Sequence, residues 1–472
     1  MHELLSLSLT ELTSTLHAGR ASPVELMRAC LERIEACNPT LVALVASVDS
    51  EPLLAQARQA EARIVRGEGR PLEGIPLGVK DLEDVAGLPT THGSVAFRDH
   101  VPDRDSTQVA RLKAAGAIVV GKTHAPEFGS TAYTKTRLFG VCRNPWNTEL
   151  SPGGSSGGSA AALASGMLPL VTGSDGGGSV RIPACFVGAF GCKPSYGRIP
   201  NGPRERWHWV ATEHHGPITK TVADAALFLD QVIGACPWDE CSLPHPGFRY
   251  TDKLSEPPPR GLRIGFSLDF GEAVVQQEVE RAVRDAVSVL ERMGHRVREL
   301  PGGPPHTAAG WVYLNNLDSF ARLSTLPPER RAEVGRGLLA GIDQVSHAKP
   351  DGLELMIRRR AQLLAWAAEL FEEVDLVVTP TVAYDGHPAA GPYPSEIDGK
   401  PAHATGPATF TVPWNLAHHP AATLRVGVSS RNMPLGMQLV APRHRDDLLL
   451  QVAAAFERER PWHPLCAPFE SS

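Results

Sequence analysis

Two serines held between glycines stand 24 positions apart: Ser155, in Gly153-Gly154-Ser155-Ser156-Gly157-Gly158, and Ser179, after Gly176-Gly177-Gly178. Residues 151–202 carry 13 of the chain's 44 glycines, far above the roughly 7% of an ordinary protein. Such a backbone reaches conformations and close approaches that a Cβ forbids. Successive N–H groups with no side chain over them form a concave nest for negative charge, which a serine attacking a carbonyl requires. The N–H groups of Gly176, Gly177, Gly178 and Ser179 are therefore the candidate oxyanion hole, and Ser179 the candidate nucleophile. A serine hydroxyl also needs a base within reach. The 18 histidines show no informative spacing. Lys80, by contrast, ends the apolar, strand-like run Gly74 to Asp81 (GIPLGVKD). Burial there would lower its pKa toward that of a working base.

These segments, with GKTHAPEFGSTAYTKTRLFGVCRNPWN (121–147), GPITKTVADAALFLDQVIG (216–234) and FTVPWNLAHHPAATLRVGVSSRNMPLGMQLVAP (410–442), resemble the amidase signature family of serine hydrolases. The resemblance covers about two thirds of the chain and implies one large α/β/α domain over 1–472, a mixed central sheet flanked by helices. Its signature core spans 70–234 and 405–455, and residues 235–400 form a variable region. It also implies roles: Lys80 as base, Ser155 as a bridging serine preceded by a cis peptide, and Ser179 as nucleophile. Gly129, Ser130 and Thr131 would lie beside the nucleophile. No metal or organic cofactor is implied, and the substrates would be small-molecule amides, anilides, cyclic amides or carbamates. Gly176 departs from the family, whose members often carry threonine or a larger apolar residue there.

Other readings compete. Gly153 to Gly157 fits G-x-S-x-G, the nucleophile elbow of α/β-hydrolase esterases, with Ser155 as nucleophile and a histidine partner. That elbow needs a strand directly before it, whereas Arg143 to Asn147 and Ser151-Pro152 read as turns. A glycine–serine run also suits a linker, but Leu163, Met167, Leu168, Leu170 and Val171 argue for packed structure. Within the family, the A subunit of glutamyl-tRNA amidotransferase is the alternative to a stand-alone amidase. A catalytically silent binding or scaffold protein is a further one. Asp175 and Arg181 flank the nucleophile as a supporting ion pair. Trp207, Trp209, Trp311 and Trp414 are aromatic candidates for the pocket, with core packing the simpler role for each.

The elements that must position these residues follow a mixed α/β pattern. Thr10 is expected to cap a first helix and Ser22-Pro23 to start a second. Helices are expected over 53–66, 107–115, 222–233, 276–293 and 353–371, and strands over 118–120, 262–266, 295–300 and 375–378. Loops are expected over 237–260 and 301–305, and the Gly/Pro/Ala-rich segment 382–407 is expected over the active-site mouth. A net charge of −6 without a dense basic block argues against a nucleic-acid partner. The first twenty residues lack a basic region followed by a cleavable apolar run, and no apolar stretch reaches membrane length. The expectation is a cytoplasmic protein, monomer or homodimer, whose eight cysteines are free thiols.

Overall fold

The computed structural model describes residues 3–203, 211–306, 308–324, 326–347 and 350–462. Local signals set the first helices. Ser22 accepts the Val24 N–H and Pro23 takes the first helical position, so a helix runs Pro23–Leu41 until Val42 turns left-handed. The cap expected at Thr10 falls instead on Ser8. Ser8 and Glu11 close a reciprocal capping box on Leu9–His17, which satisfies two donors at once. Thr10, inside the helix, donates its N–H and hydroxyl to Asp224 Oδ1 at 3.0 and 3.1 Å.

The expected mixed sheet flanked by helices is present. Seven strands lie in the order Ile218–Thr219, Phe190–Lys193, Ala421–Val428, Pro434–Val440, Leu376–Pro380, Arg263–Phe266, Arg296–Glu299. The last three pair in parallel and the others antiparallel. Both faces are covered, as strand alternation shows. Leu376 and Val378 enter a core shared with the helices Val222–Val232, Gln277–Arg292 and Asp446–Glu459. Val377, between them, faces the other way, toward Arg181–Val187 and Pro350–Glu373. A four-stranded sheet, ordered Leu44–Ser47, Ile118–Thr123, Pro76–Lys80, Leu170–Val171, adjoins the first where Leu170–Val171 lies beside Ile218–Thr219.

The sequence reading assigns no element to 306–352. Three helices occupy most of it, Ala308–Leu323, Pro328–Ala332 and Arg336–Ser346. Leu323, Val334 and Ile342 pack there with Ala96, and Phe97, Phe128, Leu338 and Leu339 close around them. Their apolar residues are spaced by three or four, a helical pattern that becomes visible once the neighbouring proline clusters are set aside. Among the described residues, no helix is long and apolar enough to cross a membrane.

Candidate active site

Lys80 is the last residue of a strand that pairs in parallel with a neighbour on each side, and sites form beyond the carboxyl ends of such strands. Its side chain is fully buried. Nζ donates to Ser174 O and Ser174 Oγ, both at 3.1 Å, and lies 2.8 Å from Ser155 Oγ. Burial pushes the Lys80 amine down to about 8, against the opposing pull of the carboxylates of Glu213, Glu83 and Asp175. As a neutral amine Nζ keeps two hydrogens and one lone pair. The ammonium donates to all three oxygens; once it has lost a proton, keeping both remaining hydrogens on Ser174 would turn the lone pair to Ser155. A buried amine in this state is a proton acceptor aimed at one hydroxyl.

Ser155 follows a cis Gly154–Ser155 peptide. No strand precedes it; residues 151–154 are irregular and the helix Gly157–Ala164 begins just after it. That helix is apolar all round and fully buried, as expected of one inside a core. The elbow reading thus lacks its strand, and it lacks its histidine too. Among the described residues no histidine hydrogen-bonds to Ser155 or Ser179. Burial holds His124, His387 and His418 near pKa 4, and His92 and His214 well below the ordinary value.

Ser179 lies two residues before the helix Arg181–Val187 and is partly exposed. The Ser156 N–H donates to Ser179 O at 3.2 Å, which sets the two serine loops side by side. No hydrogen bond joins the two hydroxyls. In the nest, each carbonyl is fixed. Asn415 Nδ2 donates to Asp175 O (2.7 Å), Trp311 Nε1 to Gly176 O (2.8 Å), Thr411 Oγ1 to Gly177 O (2.6 Å) and the Ile182 N–H to Gly178 O (2.7 Å). One of the four expected oxyanion donors is committed elsewhere: the Gly178 N–H donates to Asp175 Oδ1 at 2.6 Å. The N–H groups of Gly176, Gly177 and Ser179 have no acceptor among the described residues. Gly178 has φ +131°, and a Cβ there would collide with Thr411. A Cβ on Gly176 meets open space, so packing does not require glycine at this position.

The loop is anchored by a fully buried ion pair. Arg181 Nη2 lies 2.9 Å from Asp175 Oδ1, and the same guanidinium reaches Gln438 Oε1 and Asn415 Oδ1, each at 2.6 Å. Burial alone would raise the Asp175 carboxyl, but the charge and hydrogen bonds of Arg181, with Lys193 and Asn415 beside them, hold it well below the usual range.

Gly129 and Thr131 flank Ser155: a Cβ on Gly129 would lie 3.2 Å from Ser155 Oγ, and one on Gly154 would lie 2.7 Å from Thr131 O. Ser130, between them, closes a short turn onto Glu127 O at 3.1 Å. Glu127 ties this turn to both sides, accepting from Ser94 Oγ (2.6 Å) and from the Gly335 N–H (3.0 Å). Segment 382–407 does reach the same turn, since Tyr393 Oη accepts the Ala132 N–H at 2.7 Å. Trp414 is core, and Trp207 and Trp209 lie outside the described residues. Ser174, Thr411, Asn415 and Gln438 were not anticipated. Ser174 lies five residues before Ser179, and Thr411 and Asn415 sit in the motif 410–442, but nothing in their types announces whom they hold.

A family model described as amidase matches residues 25–450. The chain belongs to the amidase family. An acylamidase of Rhodococcus erythropolis is 33% identical, covering 97% of this chain and 96% of its own. The A subunit of glutamyl-tRNA(Gln) amidotransferase from Roseiflexus sp. (strain RS-1) is 35% identical, covering 98% of both. Among solved structures, a bacterial aryl acylamidase of the amidase signature family superposes with a TM-score of 0.91 at 29% identity, over 97% of this chain and 98% of that one. A 6-aminohexanoate cyclic dimer hydrolase does so at 0.86 and 28% identity, over 98% and 99%. This amidase is accordingly a hydrolase of amide C–N bonds.

Proposed function

We propose that this amidase cleaves the C–N bond of a small-molecule amide, anilide or carbamate through an acyl-enzyme on Ser179. Lys80 and Ser155 serve as its proton relay. The observation that carries the reading is the placing of Lys80: its buried Nζ stands 2.8 Å from Ser155 Oγ and 3.1 Å from Ser174 O and Oγ. Substrate arrival brings Ser179 into line, a tightening common to sites seen without ligand. Ser179 Oγ then bonds to the carbonyl carbon as its proton passes to Ser155, and the Ser155 proton passes to Lys80. The carbonyl oxygen takes the negative charge in the nest. Collapse returns the proton through Ser155 to the leaving nitrogen, the C–N bond breaks, and the amine departs. Water repeats the sequence on the ester, releasing the acid and restoring Ser179.

The Asp175–Arg181 pair supports the nest without touching the reacting atoms. We extend the reading to a single folded unit in which 235–400 sets specificity, working as a monomer or homodimer in the cytoplasm. The free thiols among the described residues are in keeping with a reducing compartment. A second reading rests on the amidotransferase A subunits among the relatives, such as that of Roseiflexus sp. (strain RS-1) at 35% identity. It makes this chain one part of an assembly that supplies ammonia to partner subunits.

The test uses the purified chain alone with a chromogenic anilide and with a fluorophosphonate probe mapped by mass spectrometry. Hydrolysis without partners and labelling at Ser179 are the expected results. Labelling at Ser155 would overturn the role assignment, and turnover only of glutamine in the presence of partner subunits would favour the second reading.

A further inference from the structure

One strut of the nest comes from outside the catalytic loops. Trp311 belongs to the helix Ala308–Leu323, in the region with no counterpart in the motifs. Its indole N–H donates to Gly176 O at 2.8 Å. Its six-membered ring lies so close over Gly177 that a Cβ there would collide with it. A trans peptide is planar, with C=O and the following N–H on opposite sides. Holding the Gly176 carbonyl toward the indole therefore turns the Gly177 N–H to the opposite side, and that N–H has no acceptor among the described residues. The next peptide shows the same rule with the opposite outcome. Thr411 Oγ1 holds Gly177 O, and the Gly178 N–H is turned onto Asp175. Glycine peptides flip easily for want of a Cβ, so an N–H at this position needs something to fix its direction.

We propose that Trp311 is a positioning residue for catalysis: its indole N–H locks the Gly176–Gly177 peptide so that the Gly177 N–H is presented to the oxyanion. The variable helix then contributes to rate as well as to the pocket wall. The inference rests on the acyl-enzyme reading above. Its signature is a loss that appears when the oxyanion forms and is absent in the ground state.

The experiment compares the wild-type chain with Trp311→Phe, which keeps an aromatic ring over Gly177 and removes the donor. Three quantities are read on a small acetanilide: kcat, KM, and the inhibition constant of an aryl trifluoromethyl ketone. The ketone's adduct with Ser179 carries an oxyanion and no leaving group. Loss of a whole oxyanion donor costs about 100- to 1,000-fold, so loss of the group that orients one is expected to cost about 10- to 100-fold in kcat. Ketone affinity should fall by the same factor, with KM nearly unchanged. Unchanged kcat and ketone affinity, or a loss confined to KM, would overturn the proposal and leave Trp311 as wall. If Trp311→Phe does not fold, β-(3-benzothienyl)alanine at position 311, equal in shape but with sulfur in place of N–H, gives the same readings. Ser179→Ala separates the two levels. If it stays active, the acyl-enzyme reading has failed; if it is dead while Trp311→Phe is fully active, only the role of Trp311 has failed.

Discussion

The proposed catalytic loops between 151 and 200 and the helical region between 308 and 373 are built on opposite terms. In the first, Asp175 and Arg181 are fully buried with several fixed partners each, and Lys80, equally buried, reaches in from its strand end onto Ser155 and Ser174. In the second, apolar side chains stand in solvent: Val312 is 47% exposed and Ile357 60%. A buried polar network over-determines its geometry, because each member left unpaired costs the desolvation of that group. A half-exposed helical layer has neighbours that can shift at little cost. Chemistry that depends on ångström-level placement suits the first kind of structure, and the second can vary its outline without disturbing the proposed relay. The two meet in one apolar cluster, Ile182, Cys185 and Phe186 with Leu314, Leu363 and Ala367, and at the hydrogen bond from Trp311 to Gly176.

The largest effect expected is on the nucleophile. Ser179→Ala should lower turnover by about 10,000-fold or more with little change in melting temperature, since a single hydroxyl leaves almost no cavity. Ser155→Ala should leave slow acylation of an activated ester, and no histidine substitution should abolish activity. One indispensable histidine together with an active Ser179→Ala would move the catalytic centre to the elbow.

Lys80→Ala should cost several orders of magnitude. The sign of its pH dependence follows from the working form. The relay needs the neutral amine, whose pKa is lowered to about 8, so kcat should climb about tenfold per unit below that value and level off above it. A rate that falls from neutral to mildly alkaline pH, with the fold intact by circular dichroism, would remove Lys80 as base.

Next comes the anchor. Asp175→Asn leaves Arg181 buried without its counter-charge, a loss on the order of 3–5 kcal/mol in unfolding free energy, measurable by denaturant titration. If the change costs under about 1 kcal/mol, the loop is less rigidly held than the contrast requires. The smallest effect belongs to the helical region. Ile357→Ser should shift stability by no more than about 0.5 kcal/mol and leave kcat on a small anilide unaltered. A substantial loss of kcat there would show that the exposed face of the helical layer is coupled to the loops as well as its buried face.

What was legible in the sequence was local. Lys80, Ser155 and Ser179 could be named as candidates because each sits inside a short motif, and the Pro23–Leu41 helix could be placed because Ser22-Pro23 is itself a start signal. What was not legible was tertiary. Arg181 meets Gln438 and Asn415 across separations of 257 and 234 residues, and neither an amide side chain nor a threonine advertises such a partner. Four N–H groups follow from the glycine run alone, but the commitment of one of them to Asp175 depends on how the loop is folded over its anchor. The cap moved from Thr10 to Ser8 because Glu11 lies at the right distance from one and not from the other. The layer over 308–346 is not legible because its apolar residues fall between proline-rich stretches that read as loop.

The cysteines give the chain an unplanned use. Cys30, Cys37, Cys142, Cys185, Cys192 and Cys236 are buried and free, and burial pushes the thiols of Cys30 and Cys185 up to about 12. Alkylating reagents attack the thiolate and must reach it. Among the described residues six sulfurs are therefore hidden in the native molecule, and any global opening reveals them together. A pulse of iodoacetamide followed by intact-mass measurement would count opened molecules directly, so this amidase can report its own unfolding without an added dye or an engineered tag.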